Sequence, residues 1–133
     1  MNTLARSLFL ALLALLTVAY GAQSVVRNVP YVAAFAPLNS SASPFSGTMR
    51  LNFNHGIVSG YYDDTSISPR GPLANRLRVP VSGGVSGDGS INLLIGPLSF
   101  HGRLHGRWMK GTATAYGRIY TFSAKQGVPG SGH

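Results

Sequence analysis

Between residues 46 and 126, short segments that alternate apolar and polar side chains are separated by turn-forming residues about every 8 to 12 positions. In Thr48–Phe53, for example, Met49, Leu51 and Phe53 share one face and polar residues share the other. A period of two is typical of a half-buried strand, because successive side chains of a strand point to opposite faces. No segment after residue 22 repeats apolar residues at the i, i+3, i+4, i+7 spacing of a helix. The sequence therefore predicts an all-β fold made of antiparallel hairpins.

The alternation predicts seven strands in this block and allows an eighth, Val25–Phe35, in the proline-containing segment before it. Short turns between neighbouring strands exclude parallel crossovers, which need a dozen residues or more. One connection is longer, the loop from Asp64 to Asn75, and Asp63-Asp64 is expected to initiate it and to pair with Arg70 or Arg76 rather than to bind calcium. The seven predicted strands are Thr48–Phe53, Ile57–Asp63, Arg76–Ser82, Ile91–Ile95, Leu98–Leu104, Arg107–Ala115 and Arg118–Ala124.

Turn and strand glycines indicate how these strands are arranged. Gly87-Asp88-Gly89 predicts a hairpin with a type I′ turn, whose two central residues both need a positive φ. Pro80 favours an edge or a bulge, because proline donates no ladder hydrogen bond. Four glycines stand where the alternation would place a core side chain, which favours the sharp bends of a closing sheet; they are Gly60, Gly83, Gly102 and Gly111. We expect a small antiparallel meander barrel of about 7–8 strands, closed or partly open, rather than a two-layer sandwich.

A barrel of this size has an interior just wide enough for side chains or one small ligand. In the predicted strand Arg76–Ser82, Leu77 is expected to face inward with its apolar neighbours two and four positions on. If large side chains fill the interior, no ligand fits there. The side chains expected to occupy the interior are those of Met49, Leu51, Phe53, Val79, Leu93, Phe100 and Trp108.

The recurring pattern of short strands and glycine-containing turns in this block is that of a known architecture. Three segments carry the likeness: Gly56-Ile57-Val58-Ser59-Gly60-Tyr61-Tyr62, Gly87-Asp88-Gly89 and Arg107-Trp108-Met109-Lys110-Gly111-Thr112. From Ser46 to about Lys125 the chain resembles the small secreted calycin-type barrels of lipocalin and avidin architecture. The resemblance is architectural only. Met49 stands where the lipocalin signature has tryptophan, and the chain has one tryptophan where avidin has several. The resemblance therefore implies a barrel and carries over no functional residue.

The N-terminal segment, residues 1–21, has the pattern of a secretory signal peptide. Arg6 precedes the apolar run Leu8–Ala19, and small residues close the segment at Gly21. A run of ~12 apolar residues is short for a membrane span, which needs ~20; the alternative is an uncleaved anchor. We expect a secreted or periplasmic protein that is not a lipoprotein, since the chain has no cysteine. The remaining parts are an extended lead-in and linker (22–45), the barrel (46–126) and a flexible tail (127–133).

Charge and composition narrow the function classes. The formal net charge is +8, and the chain has three acidic residues and no cysteine. These counts exclude a disulfide scaffold, cysteine-ligated zinc and a cysteine nucleophile, and they leave few groups for acid–base catalysis. We therefore predict no catalytic site, no metal and no cofactor.

The most unusual local feature is a tandem repeat, His101-Gly102-Arg103 followed by His105-Gly106-Arg107, with Trp108 next to it. Guanidinium, imidazole and an aromatic face together suit a phosphate, sulfate or carboxylate group. A shared metal is disfavoured, because His101 and His105 would lie ~13 Å apart along one strand. The alternative to a binding site is a hairpin whose outward-facing basic residues contact only solvent. The predicted ligand- or anion-binding residues are His101, Arg103, His105, Arg107, Trp108, Arg76 and Arg78.

Together these features predict an exported, non-catalytic β-barrel protein that binds a small molecule or an anionic envelope polymer. Export disfavours nucleic acid as the partner. One alternative is an interaction or inhibitor protein that acts through the loop from Asp64 to Asn75. Another is a small barrel enzyme that uses His101 and His105.

Overall fold

A computed structural model describes residues 25–38, 44–65 and 71–127. The described chain is a closed barrel in which each strand pairs antiparallel with its neighbours in sequence and the first strand pairs with the last. The predicted signal peptide, the predicted tail beyond Gly127, and Arg70 lie outside the described residues. The strands are β1 (Val25–Pro37), β2 (Phe45–Asn54), β3 (Ile57–Asp64), β4 (Val79–Val85), β5 (Ser90–Ile95), β6 (Leu98–His105), β7 (Trp108–Ala115) and β8 (Arg118–Gln126).

Strand β1, the eighth strand that the sequence allowed, closes the barrel. It pairs with β2 from Val25 to Phe35 and with β8 from Tyr31 to Pro37. A register shift near its start is accommodated by Asn28, which has φ 56° and donates its N–H to Asn52 Oδ1 at 3.0 Å. The fold is therefore all-β, as predicted, and the segment predicted as a lead-in supplies a full barrel strand.

The interior is filled with aromatic and aliphatic side chains. The Phe35 ring stacks on Phe45 at 4.4 Å between centroids and meets Phe122 at 4.8 Å, and Phe122 lies 4.0 Å from Phe100. Six of the seven side chains named as candidates for the interior are buried. The seventh, Trp108, points outward and is 39% exposed, because it begins β7 on the outward phase while the next residue is buried.

The strand glycines lie on the inward phase, where neighbouring backbones approach closely. Gly102 and Gly111 are paired across β6 and β7. A Cβ on Gly102 would run into the Lys110 carbonyl, and one on Gly111 would run into the His101 carbonyl. These glycines let the strands bend into a barrel, as the sequence predicted.

The hairpin at Gly87-Asp88-Gly89 forms where it was predicted, but its turn is not type I′. Of these three residues only Gly89 has a positive φ, of 91°, and its N–H donates to the Ser86 carbonyl at 3.0 Å. The Asp88 carboxylate accepts the Ser90 N–H at 2.9 Å and the Ser86 hydroxyl, and these hydrogen bonds lower the Asp88 pKa to about 2. Side-chain hydrogen bonding by Asp88 thus favours a three-residue loop with one left-handed glycine.

Strand β4 begins later than predicted, at Val79 instead of Arg76. Arg78 has φ 53°, which breaks the alternation, so Leu77 is 71% exposed instead of facing the core. Pro80 lies within β4 of a closed sheet, which has no edge strand. The β4–β5 ladder, however, starts only at Val81. The missing N–H of Pro80 therefore falls beyond the end of that ladder.

Candidate functional site

The predicted site residues lie at opposite ends of the barrel. The β2–β3, β4–β5 and β6–β7 turns form one end, which we call the first end, and it carries His105, Arg107 and Trp108. The β3–β4 loop and the β5–β6 and β7–β8 turns form the other, second end, which carries Arg76 and Arg78. The structure therefore brings together the residues of the tandem repeat and separates them from the two arginines that precede β4.

A basic face covers the outer side of β6, β7 and β8. It consists of the exposed residues His101, Arg103, His105, Trp108 and Lys110 together with the partly exposed Lys125. Arg103 lies directly opposite Lys110 in the β6–β7 register, and Trp108 lies opposite His105 on one side and Lys125 on the other. Arg107 stands in the turn beside this face, and its carbonyl accepts the Gln126 N–H at 2.8 Å.

Trp108 is the centre of the basic face. The Lys110 Nζ lies 4.7 Å from the centroid of the indole ring, and the Lys125 Nζ lies 5.5 Å from it. Both distances fall within the range of cation–π attraction. Two ammonium groups are thus held beside one exposed aromatic ring.

The carboxylates of the three aspartates accept hydrogen bonds from groups outside the basic face. Asp63 accepts the Arg78 N–H at 2.7 Å, Asp64 accepts the Asn75 N–H at 3.0 Å, and Asp88 accepts backbone and hydroxyl groups of its own turn. On the basic face, Arg103 and Lys110 are like charges on directly opposed positions, an arrangement that destabilises a sheet. The Arg103 guanidinium also donates to the Asp88 carbonyl at 3.1 Å, and its charge acts on the Asp88 carboxylate.

Sequence reasoning missed Lys110 and Lys125. For Lys110 a signal was present, since it follows Trp108 by two positions and therefore shares its face. For Lys125 no local signal exists, because its place beside Trp108 depends on the β7–β8 register.

The histidines of the repeat do not form a metal site. The His101 Nδ1 is hydrogen-bonded to Asn92 Oδ1, and its Nε2 lies 3.4 Å from the Ser99 hydroxyl. His105 is four residues further along β6, a rise of ~13 Å. Among the described residues no group of three histidine, aspartate or glutamate side chains could hold a metal ion.

A second basic–aromatic cluster lies near the second end. The Arg78 guanidinium carbon lies 4.5 Å from the centroid of the Tyr61 ring, and Tyr61 is paired with Arg50 across β2 and β3. Asp63 and Asp64 fasten the segment before β4 through backbone N–H groups, and the Asp64 N–H donates to the Arg76 carbonyl at 2.9 Å. This anchoring fits the predicted turn-initiating role of the two aspartates.

The fold and these clusters define the protein as an eight-stranded up-and-down β-barrel with a packed interior and a basic outer face. This architecture agrees with the resemblance noted in the sequence, which extends to no particular family. Comparisons with protein-family models, curated proteins and solved structures give no match. Within residues 25–38, 44–65 and 71–127, no helix has the length and apolar character that crossing a membrane requires.

Proposed function

We propose that this protein is an exported, non-catalytic binding protein that holds an anionic polymer of the cell envelope against the basic face. The observation that carries this proposal is the exposed Trp108 ring with Lys110 and Lys125 beside it. An indole face stacks on a sugar ring, and ammonium and guanidinium groups pair with its sulfate, phosphate or carboxylate substituents. Arg103 extends the charged strip along the neighbouring strand.

The packed interior favours a surface site over a ligand inside the barrel. Phe35, Phe100 and Phe122 meet near the axis and are at most 2% exposed. A ligand in their place would have to displace side chains that are themselves tightly packed. The outer surface is therefore the better-supported place for binding.

A non-catalytic role is supported by how the ionisable groups are used. The three aspartates accept hydrogen bonds that hold loops and turns, and His101 is engaged by Asn92 and Ser99. The Ser99 hydroxyl lies 3.4 Å from His101 Nε2, which is longer than the range of about 2.6–3.2 Å expected between a nucleophile and its base. Binding, by contrast, needs only the fixed charges and the exposed ring.

The test uses the single tryptophan as its own reporter. The protein is purified from the exported fraction of producing cells, and its intact mass is expected to lack residues 1–21. Heparin, a sulfated polysaccharide, is then titrated against neutral dextran while Trp108 emission is followed. We expect saturable binding of heparin only, weakened roughly 10- to 50-fold between about 50 and about 200 mM NaCl, as for a few released counterions.

Two double variants make the test site-specific. Lys110→Gln/Lys125→Gln is expected to weaken heparin binding at least about tenfold, since two contacts of about 0.7 kcal/mol each reach that factor. Arg50→Gln/Arg78→Gln removes the same charge from the second cluster and is expected to leave binding within about twofold. Equal losses in both variants, or binding that does not change with salt, would overturn the proposal. Absence of the protein from the exported fraction would overturn the export part of the proposal.

A further inference from the structure

We propose that the second end of the barrel carries a separate pocket for a small planar ligand with one acidic group, such as an aromatic carboxylate. The pocket has a volume of about 340 Å³ and lies between the start of the segment before β4 and the β7–β8 hairpin. Its volume falls in the range of small-molecule sites, which often occupy the mouths of β-barrels. It is lined by Gly71, Pro72, Ala115, Tyr116, Arg118 and Tyr120. This inference does not depend on the basic face, which lies toward the other end.

The inner wall of the pocket is formed by buried, packed residues. Tyr120 and Ala115 are 2% and 4% exposed, and the Tyr120 ring packs edge-on against Phe45 with 5.3 Å between centroids. Gly71 lies so close to the same phenylalanine that a Cβ on it would be 3.4 Å from the Phe45 ring. The core phenylalanine thus packs against both walls of the pocket.

The rim carries an aromatic residue in an uncommon conformation. Tyr116 is 77% exposed and has φ 51°, in the left-handed region that bulky residues rarely adopt. Its position is the first of the two-residue turn that it forms with Gly117, where asparagine is preferred. His55 has the same conformation in the β2–β3 turn, with φ 50°, so the two-residue turn itself requires a left-handed residue here. What distinguishes this position is its side chain: an exposed aromatic ring stands where the turn favours asparagine.

The charge of the pocket lining indicates that its ligand is an anion. Among the lining residues that the structure describes, Arg118 is the one with a charged side chain, and it directly faces Ala115 across the turn. Its guanidinium group offers two parallel N–H donors to a carboxylate, and such a pair is both directional and strong. The exposed Tyr116 ring and Pro72 offer apolar surface beside it, whereas the rest of the lining is of mixed polarity. One positive group next to an exposed aromatic ring fits a flat monoanion better than a polyanion.

The test is an NMR titration of the ¹⁵N-labelled protein with 2-naphthoate and with its neutral counterpart 2-naphthamide. We expect saturable shifts in the amides of residues 71, 115–118 and 120, with naphthoate bound at least about tenfold more tightly than naphthamide. Arg118→Gln should remove this preference for the anion while leaving naphthamide binding unchanged. Arg103→Gln, on the basic face, is the matched control and should change neither affinity.

Tyr116→Asn separates a ligand role from a structural one. Asparagine suits the left-handed turn position, so the variant is expected to melt at the same or a higher temperature while binding of both probes weakens at least about tenfold. The proposal is overturned by the absence of saturable shifts up to about 5 mM probe. Shifts confined to the basic face, equal affinity for the two probes, or unchanged binding in Tyr116→Asn would overturn it as well.

Discussion

Tyr62 shows how much one side chain contributes to this barrel. Its ring lies over Gly47, where a Cβ would collide with the phenol carbon and oxygen atoms, so the glycine makes room for a buried tyrosine. Its hydroxyl donates to Asp64 Oδ1 at 3.4 Å, and Asp64 in turn holds the segment that leads into β4. Burial, the Asp64 charge and this hydrogen bond together raise the pKa of Tyr62 far above its usual range.

This raised pKa predicts a specific loss of stability in alkali. Below pH 10 the phenol is neutral in both the folded and the unfolded states, so its contribution is fully present; above that pH the unfolded chain releases the proton and the folded chain retains it. The free energy of unfolding should therefore fall by up to about 1.4 kcal/mol per pH unit above pH 10 through this group. In Tyr62→Phe this part of the fall should vanish, at a cost of about 1 kcal/mol near pH 7 for the lost hydrogen bond.

Urea unfolding followed by far-UV circular dichroism at pH 7, 10 and 11 measures both effects. Tyr61→Phe is the matched control, because it removes the same hydroxyl from the exposed neighbouring position. If wild type and Tyr62→Phe lose the same stability between pH 10 and 11, the buried phenol is not the source of the alkaline loss.

In the strands, the paired glycines Gly102 and Gly111 define the curvature of the sheet. Each would place a Cβ against a carbonyl of the facing strand, and backbone atoms cannot move aside as a side-chain end can. The strands can therefore approach and bend at this point only without side chains. The cost of two flexible residues in strands is offset by closure, which removes the open edges of the sheet.

Alanine substitution at these glycines is expected to be costly. Gly102→Ala and Gly111→Ala should each lower the free energy of unfolding by at least about 2 kcal/mol, because the added methyl group overpacks the sheet. Gly84→Ala is the control, since Gly84 lies on the outer side of β4 and its Cβ would meet only one carbonyl, at 3.2 Å. It should change stability by less than about 1 kcal/mol. Equal effects at the three positions in thermal or urea unfolding would contradict this account of closure.

The strands also show which features a sequence can reveal. Alternation located the hairpins well, because inward and outward residues differ in type along most strands. It failed before β4, where the left-handed Arg78 shifts the phase and is held by Asp63, a contact between distant residues. It also misplaced Trp108, an apolar residue whose outward phase is set by the buried Met109 beside it. Of the basic face, the repeat was visible in the sequence, whereas the nearness of Lys125 required the register.

The barrel as one body is held together across its axis rather than only around its wall. Backbone pairing runs from each strand to the next and returns from β8 to β1. Aromatic side chains also link strands that do not pair with each other. Phe122 of β8 contacts Phe100 of β6, a strand that does not pair with β8, as well as Phe35 of the paired strand β1. A barrel with such cross-links should unfold as a single cooperative unit.

Phe122 is therefore the position at which the loss of one side chain should weaken the entire fold. Phe122→Ala removes both aromatic contacts and leaves a cavity, which costs about 3–5 kcal/mol in well-packed cores. This cost is a large part of the 5–15 kcal/mol typical of whole domains, so the melting temperature should drop by well over ten degrees, at about 4 °C or more per kcal/mol. Ile119→Ala, in the same strand but with a side chain 47% exposed, should cost less than about 1 kcal/mol.

Urea unfolding monitored in parallel by circular dichroism and by Trp108 emission should give one coincident transition for each protein. Two separate transitions in Phe122→Ala, or a loss no larger than that of Ile119→Ala, would show that the wall of the barrel is stable without its aromatic centre.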